Sequence, residues 1–271
     1  MLPHNLTSVR FADARLSTGV RLHYAEQGDR AGNPVILLHG ITDSWFSFSL
    51  VLPLLSARHR AWALDQRGHG DSERPSGGYA VQDFAGDVLA FMDAMELERA
   101  TLVGHSMGSL VALETGLAAP GRISGLVLIG SAAHIRSEDI LQLQQQFSML
   151  DDPVPAEIAR DFQASTIHHP VPDDFFERAV AESLKVPARV WRDALTGLLA
   201  VDYTDRLPDL RMPALLLWGD HDEIFPRAGQ RALASGLPNA TSRVYPATGH
   251  ALHWERPADF VRDLEKFVGA A

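Results

Sequence analysis

What most constrains this chain is a repeated alternation between short, mostly apolar runs and longer amphipathic stretches. The apolar runs fall at residues 34–39, 60–65, 100–104, 123–129 and 213–219, and a more polar run at 241–245 closes the series. Each has the length of a strand, and several are apolar at odd and even positions alike. Such a strand must be covered on both faces, as it is in a parallel sheet held between two helical layers. Helical periodicity fills the gaps at 81–95, 107–119, 227–235 and 258–268, with Pro257 where a first-turn proline is tolerated. The pattern predicts an α/β fold: a mostly parallel central sheet with helices on both faces. The opening differs. Residues 9–16 and 20–26 alternate in polarity around Ser17-Thr18-Gly19, which predicts an antiparallel pair.

One stretch breaks the alternation. Residues 131–205 lie between two predicted core strands and carry no strand pattern. Helix-like blocks at 140–150, 156–167, 173–184 and 188–199 are punctuated by prolines at 153, 155, 170, 172 and 187. A structureless loop of that length is implausible in a compact domain. The expectation is therefore a helical cap, 131–205, inserted into a core made of 1–130 and 206–271. Such lids cover a site and exclude water. A length of 271 residues with 46% hydrophobic content is enough for one buried core and an insertion of this kind.

Gly104-His105-Ser106-Met107-Gly108 matches G-x-S-x-G, and it lies where that motif needs to lie, between a predicted strand and a predicted helix. The chain must turn sharply there so that the serine projects above the sheet. Close neighbours two residues to either side leave no room for side chains, which suits Gly104 and Gly108. Ser106 then stands at a helix N-terminus, where backbone N–H groups and the helix dipole favour developing negative charge. The backbone N–H of Met107, next in sequence, is the first donor expected for an oxyanion hole.

With these pieces in view, the chain resembles the α/β-hydrolase superfamily over roughly residues 8–269. The matching segments are His39-Gly40, Asp65-Gln66-Arg67-Gly68-His69-Gly70-Asp71-Ser72, Gly104–Gly108, Gly219-Asp220-His221-Asp222 and Gly249-His250, in the family's order. Ser109 departs from many relatives, which have another glycine there. The resemblance implies a serine esterase or lactonase with a helical cap. It implies His250 as the base, on the loop after the last strand, with His253 as the fallback among 12 histidines. It implies Asp222 as the orienting acid, three residues after Gly219, with Asp220 as the fallback and a turn-former. The second oxyanion donor it implies is the N–H of Ile41, the residue after His39-Gly40. The 65–72 loop is expected to be structural.

These assignments define an acyl-transfer reaction in which no metal or organic cofactor is needed. The expected partner is a small, apolar acyl substrate. Apolar cap residues Leu141, Phe147, Met149, Phe162, Ile167, Phe175, Phe176 and Trp191 are expected mostly to bury against the core, with a few lining an acyl pocket. A carbon–carbon bond hydrolase, a cofactor-free perhydrolase, an amidase or a small-molecule receptor of the same fold stays open, because fold does not choose a substrate. A serine at the turn disfavours the dehalogenase and epoxide hydrolase relatives, which use aspartate there. The net charge of −10 argues against nucleic acid or anionic membrane as a partner. Zero cysteines exclude disulfides and thiolate chemistry. Met1-Leu2-Pro3-His4-Asn5 shows no targeting pattern and no apolar run approaches a membrane span, so the expected compartment is the cytoplasm.

Overall fold

The computed structural model describes residues 9–269; the Met1–Asn5 stretch lies outside them. Eight strands form one sheet: β1 (Arg10–Arg15), β2 (Arg21–Gln27), β3 (Asn33–Leu38), β4 (His59–Leu64), β5 (Ala100–His105), β6 (Ile123–Ile129), β7 (Ala214–Gly219) and β8 (Ala240–Tyr245). Their spatial order is β1-β2-β4-β3-β5-β6-β7-β8. The β1–β2 and β2–β4 pairs are antiparallel and every later pair is parallel. The opening hairpin turns at Gly19, whose φ of 86° suits glycine, with Leu16 N–H donating to Val20 at 2.9 Å.

Strand periodicity divides the core in two. Ile36, Leu38, Leu102, Leu126 and Leu216 face one helical layer, while Val35, Leu37, Val103, Val127 and Leu217 face the other. The first layer contains α1 (Val81–Ala94), α2 (Met107–Ala118) and α7 (Arg227–Gly236). The second contains α8 (Leu252–Glu255), α9 (Pro257–Val268) and a short turn at Trp45–Phe48. The two edge strands are the polar ones. β1 carries Arg10, Asp13 and Arg15, and most of β8 is exposed, both ways of blunting an open edge.

Between β6 and β7 run four helices and no strand: α3 (Glu138–Ser148), α4 (Ala156–Ala164), α5 (Asp173–Ser183) and α6 (Ala188–Leu199). Three begin directly after proline, at Pro155, Pro172 and Pro187. Proline holds its own φ near −65°, and the extended ψ seen at these residues leads the chain into the first turn. Helix α3 starts two residues earlier than its apolar pattern suggests, because the Ser137 side chain caps it by accepting from Ile140 N–H at 3.3 Å. Phe147 of α3, Phe162 of α4 and Trp191 of α6 pack edge to face or tilted at 4.9–5.8 Å and form the centre of this layer. No helix among the described residues is long and apolar enough to cross a membrane.

Candidate active site

Parallel strands put all their carboxyl ends on one edge of the sheet, and ligands bind there in open α/β sheets. Ser106 follows β5, Asp222 follows β7, His250 follows β8 and Ile41 follows β3, so the fold brings four distant segments to one rim. Ser106, His250, Ile41 and Met107 line one cavity of about 400 Å³ beneath α3, α4 and α6.

Ser106 has φ 51° and ψ −117°, outside the ordinary regions for a non-glycine residue. Such strain costs on the order of 1–3 kcal/mol and persists only where surroundings over-determine it. Here they do. Ser106 N–H donates to Ile129 at 3.0 Å, and Ser109 donates to the Ser106 carbonyl through both its N–H, at 2.9 Å, and its Oγ, at 2.5 Å. A Cβ at Gly104 would collide with the Gly108 carbonyl, and one at Gly108 with the Leu38 carbonyl. Serine at 109 thus adds a bond to the turn that glycine would lack. Among the described residues, the N–H groups of Ile41 and Met107 have no protein acceptor.

The Asp222 carboxylate is buried and fully bonded. Its Oδ1 accepts from the N–H groups of Ile224 at 2.9 Å and Phe225 at 2.8 Å, and its Oδ2 lies 2.8 Å from His250 Nδ1. That bond puts the proton on Nδ1 and leaves Nε2 as the acceptor. Among the described residues Nε2 is buried without a partner. Gly130, at φ 48°, packs against the imidazole, and a Cβ there would sit 2.7 Å from Nδ1.

The fallback residues lie elsewhere. His253 is buried behind His105 with Nε2 at 3.0 Å from Ser47 Oγ, and burial holds it neutral with a pKa lowered to about 3. Asp220 is exposed with its Oδ1 3.9 Å from His221, and it accepts no backbone N–H among the described residues, contrary to the expected turn-forming role. In the 65–72 loop, Asp65 accepts from Trp45 and Asp71 N–H groups at 2.6 and 2.8 Å, and Arg67 grips Asp87 through two bonds of 2.7 Å. Of the eight apolar residues singled out from the sequence of 131–205, Phe162 lines the cavity, together with Leu143, Leu195 and Leu198 of the same segment. Phe147, Phe175 and Trp191 are core, and Leu141 and Met149 are exposed at 48% and 83%.

Two features carry no signal in the local sequence. Asp43 is a buried carboxyl on the cavity wall. Its Oδ1 accepts from Gln163 Nε2 of α4 at 2.8 Å, its Oδ2 accepts from Ser47 Oγ at 3.3 Å, and His105 Nδ1 is 3.9 Å away. Burial pushes its pKa up to about 7, against the lowering effect of those bonds. Beside it, Thr42 holds φ 67°, a strained value for a β-branched residue, immediately after Ile41. The loop bearing Ile41 is thus tied to α4.

A family model described as alpha/beta hydrolase fold matches residues 33–257. The chain is 28% identical to a 2-hydroxy-6-oxo-2,4-heptadienoate hydrolase of Pseudomonas putida, over 94% of this chain and 95% of that protein. Among solved structures it is similar to an esterase from Rhodococcus sp. ECU1013, with a TM-score of 0.85 and 27% identity over 97% of this chain and 99% of that one. It is also similar to the enol-lactonase from Burkholderia xenovorans LB400, with a TM-score of 0.81 and 25% identity over 95% and 100% of the two chains.

Proposed function

This chain belongs to the alpha/beta hydrolase fold family, and from that premise we propose that it is a serine hydrolase cleaving a carboxylic ester or lactone through an acyl-enzyme on Ser106. The observation that carries the reading is the 2.8 Å Asp222–His250 bond on the same rim as a serine held at positive φ. His250 Nε2 takes the Ser106 proton as Oγ attacks the acyl carbon. The tetrahedral oxyanion is held by the N–H groups of Ile41 and Met107 at the start of α2, an arrangement that can contribute several kcal/mol. His250, now protonated, gives its proton to the leaving group. Water then attacks the acyl-enzyme with His250 again as base. Asp222 keeps the imidazole in the useful tautomer and stabilises its charged form. Residues 131–205 act as a lid over a core of 1–130 and 206–271, and the substrate is a small molecule with an apolar acyl part.

The test is steady-state hydrolysis of a p-nitrophenyl ester series by the wild type and Ser106→Ala. Turnover is expected in the wild type, with a loss on the order of 10³-fold or more in the variant. Full activity in the variant would refute Ser106 as nucleophile. Carbon–carbon bond hydrolysis is the second reading, favoured by the 28% identity to the heptadienoate hydrolase. It uses the same triad, and turnover of a dienoate with none of any ester would put it first.

A further inference from the structure

Charge is distributed unevenly over the molecule, and the imbalance concentrates over the catalytic cavity. Residues 131–205 contain six basic and thirteen acidic side chains, so this segment carries most of the chain's net charge of −10. Asp139 and Glu223 line the cavity while remaining exposed, which puts two carboxylates at its mouth. The rest of the wall is mostly apolar, with Leu143, Phe162, Leu195, Leu198, Ile224 and Phe225, and its polar side chains, such as Gln142, Gln146 and Thr166, are uncharged. Near Ser106 lies the third carboxyl, buried Asp43.

Among the described residues, no lysine or arginine lines the cavity. The six basic side chains of the cap are committed elsewhere. Arg136 and Arg192 donate to the carbonyls of Leu199 and Leu150, and Arg189 to those of Arg74 and Pro75. Arg160 pairs with Glu177, Arg178 with Glu182, and Lys185 with Asp71 and Glu182. His105, the other basic residue beside Ser106, is held neutral by burial.

We propose that this cavity selects against anionic substrates: it accepts an acyl group whose far end is uncharged and rejects the same group ending in a carboxylate. The inference rests on the serine hydrolase reading and adds its substrate class. A carboxylate entering the cavity passes two like charges at the mouth. It then loses hydration in a mostly apolar passage whose wall offers no lysine or arginine to replace the water. An uncharged chain of the same length loses nothing comparable and gains apolar contact. The acidic cap extends the effect outward, lowering the local concentration of anions near the mouth.

The experiment compares two phosphonate esters with a 4-nitrophenyl leaving group, identical except for a methyl ester or a free carboxylate at the end of a five-carbon chain. Attack by Ser106 Oγ forms the O–P bond, 4-nitrophenolate leaves, and the Ser106 proton passes to His250. Rates of 4-nitrophenolate release at pH 8 are corrected for each reagent's reaction with hydroxide, and the adduct is located by mass spectrometry. The uncharged reagent is expected to react at least about 30-fold faster. The ratio is expected to shrink in the Asp139→Asn/Glu223→Gln double variant, where both changes are at exposed positions. High salt should also lower it, because mouth charges are screened. A ratio near one, or a faster carboxylate, with Ser106 carrying the adduct overturns the proposal and leaves the serine hydrolase intact. A fast uncharged reagent whose ratio is the same in the double variant and at high salt overturns it too. If neither reagent modifies Ser106, the nucleophile assignment fails first and the substrate class falls with it.

Discussion

Replacing Gly130 by alanine tests whether the position of the His250 imidazole, and not only its presence, sets the rate. Gly130 has φ 48°, and its N–H donates to Leu217 at 3.0 Å, so the backbone is fixed by β7 and has little freedom to yield. A Cβ built there lies 2.7 Å from His250 Nδ1 and 2.8 Å from Cε1. Ordinary contact begins near 3.4 Å, so the ring must retreat by about 0.7 Å. The displaced atom is the one bonded to Asp222 at 2.8 Å. A misplacement of this order can cost about 10²-fold in rate. Alanine in the left-handed region adds about 1–2 kcal/mol of strain. The expected result is a kcat lowered by about 10- to 100-fold with KM little changed, alongside a Tm lower by roughly 2–8 °C for a chain of this size. The assay is steady-state kinetics on the best p-nitrophenyl ester, with scanning calorimetry on the same sample. A kcat within threefold of wild type, with the Tm lowered as expected, would show that the imbalance in packing does not reach the base, and the reasoning fails.

Two further outcomes are expected. Asp222→Asn can keep the bonds from Ile224 and Phe225 at its oxygen, but it then offers an amide donor to His250 Nδ1. The imidazole proton moves to Nε2, where it blocks acceptance from Ser106, and kcat should fall on the order of 10⁴-fold with little change in Tm; a loss under tenfold speaks against Asp222 as the orienting acid. Asp43 has a folded pKa of about 7 against an ordinary 3.8, so the folded state favours its protonated form. Stability from this group is present below about pH 4 and is lost as pH rises toward 7, by about 4 kcal/mol as an upper bound. Asp43→Asn should therefore raise Tm relative to wild type more at pH 8 than at pH 4.5. Calorimetry showing an equal or reversed difference would contradict the raised pKa.

The fold was legible to the extent that it is written in local patterns. Buried parallel strands show as continuous apolar runs because both faces are covered, and β3, β5, β6 and β7 lie within a residue or two of where those runs place them. The prolines at 155, 172 and 187 mark helix starts for an equally local reason. The short helix α8 escaped notice, since four residues carry too little periodicity to register.

By itself the sequence determined what depends on neighbours along the chain: the apolar runs of the sheet, the turn at Ser106 with its two glycines, and the acidic excess of residues 131–205. Tertiary structure alone decided what depends on neighbours in space. Asp43 meets Gln163 across 120 positions, and Gly130 makes room for His250 across a similar span. His253, three residues from His250, is turned away to Ser47. No local pattern encodes such meetings, because they exist only once parallel strands have carried distant loops to a common edge. That no lysine or arginine lines the cavity among the described residues is of the same kind: six basic residues are present in 131–205, and only packing gives them partners elsewhere.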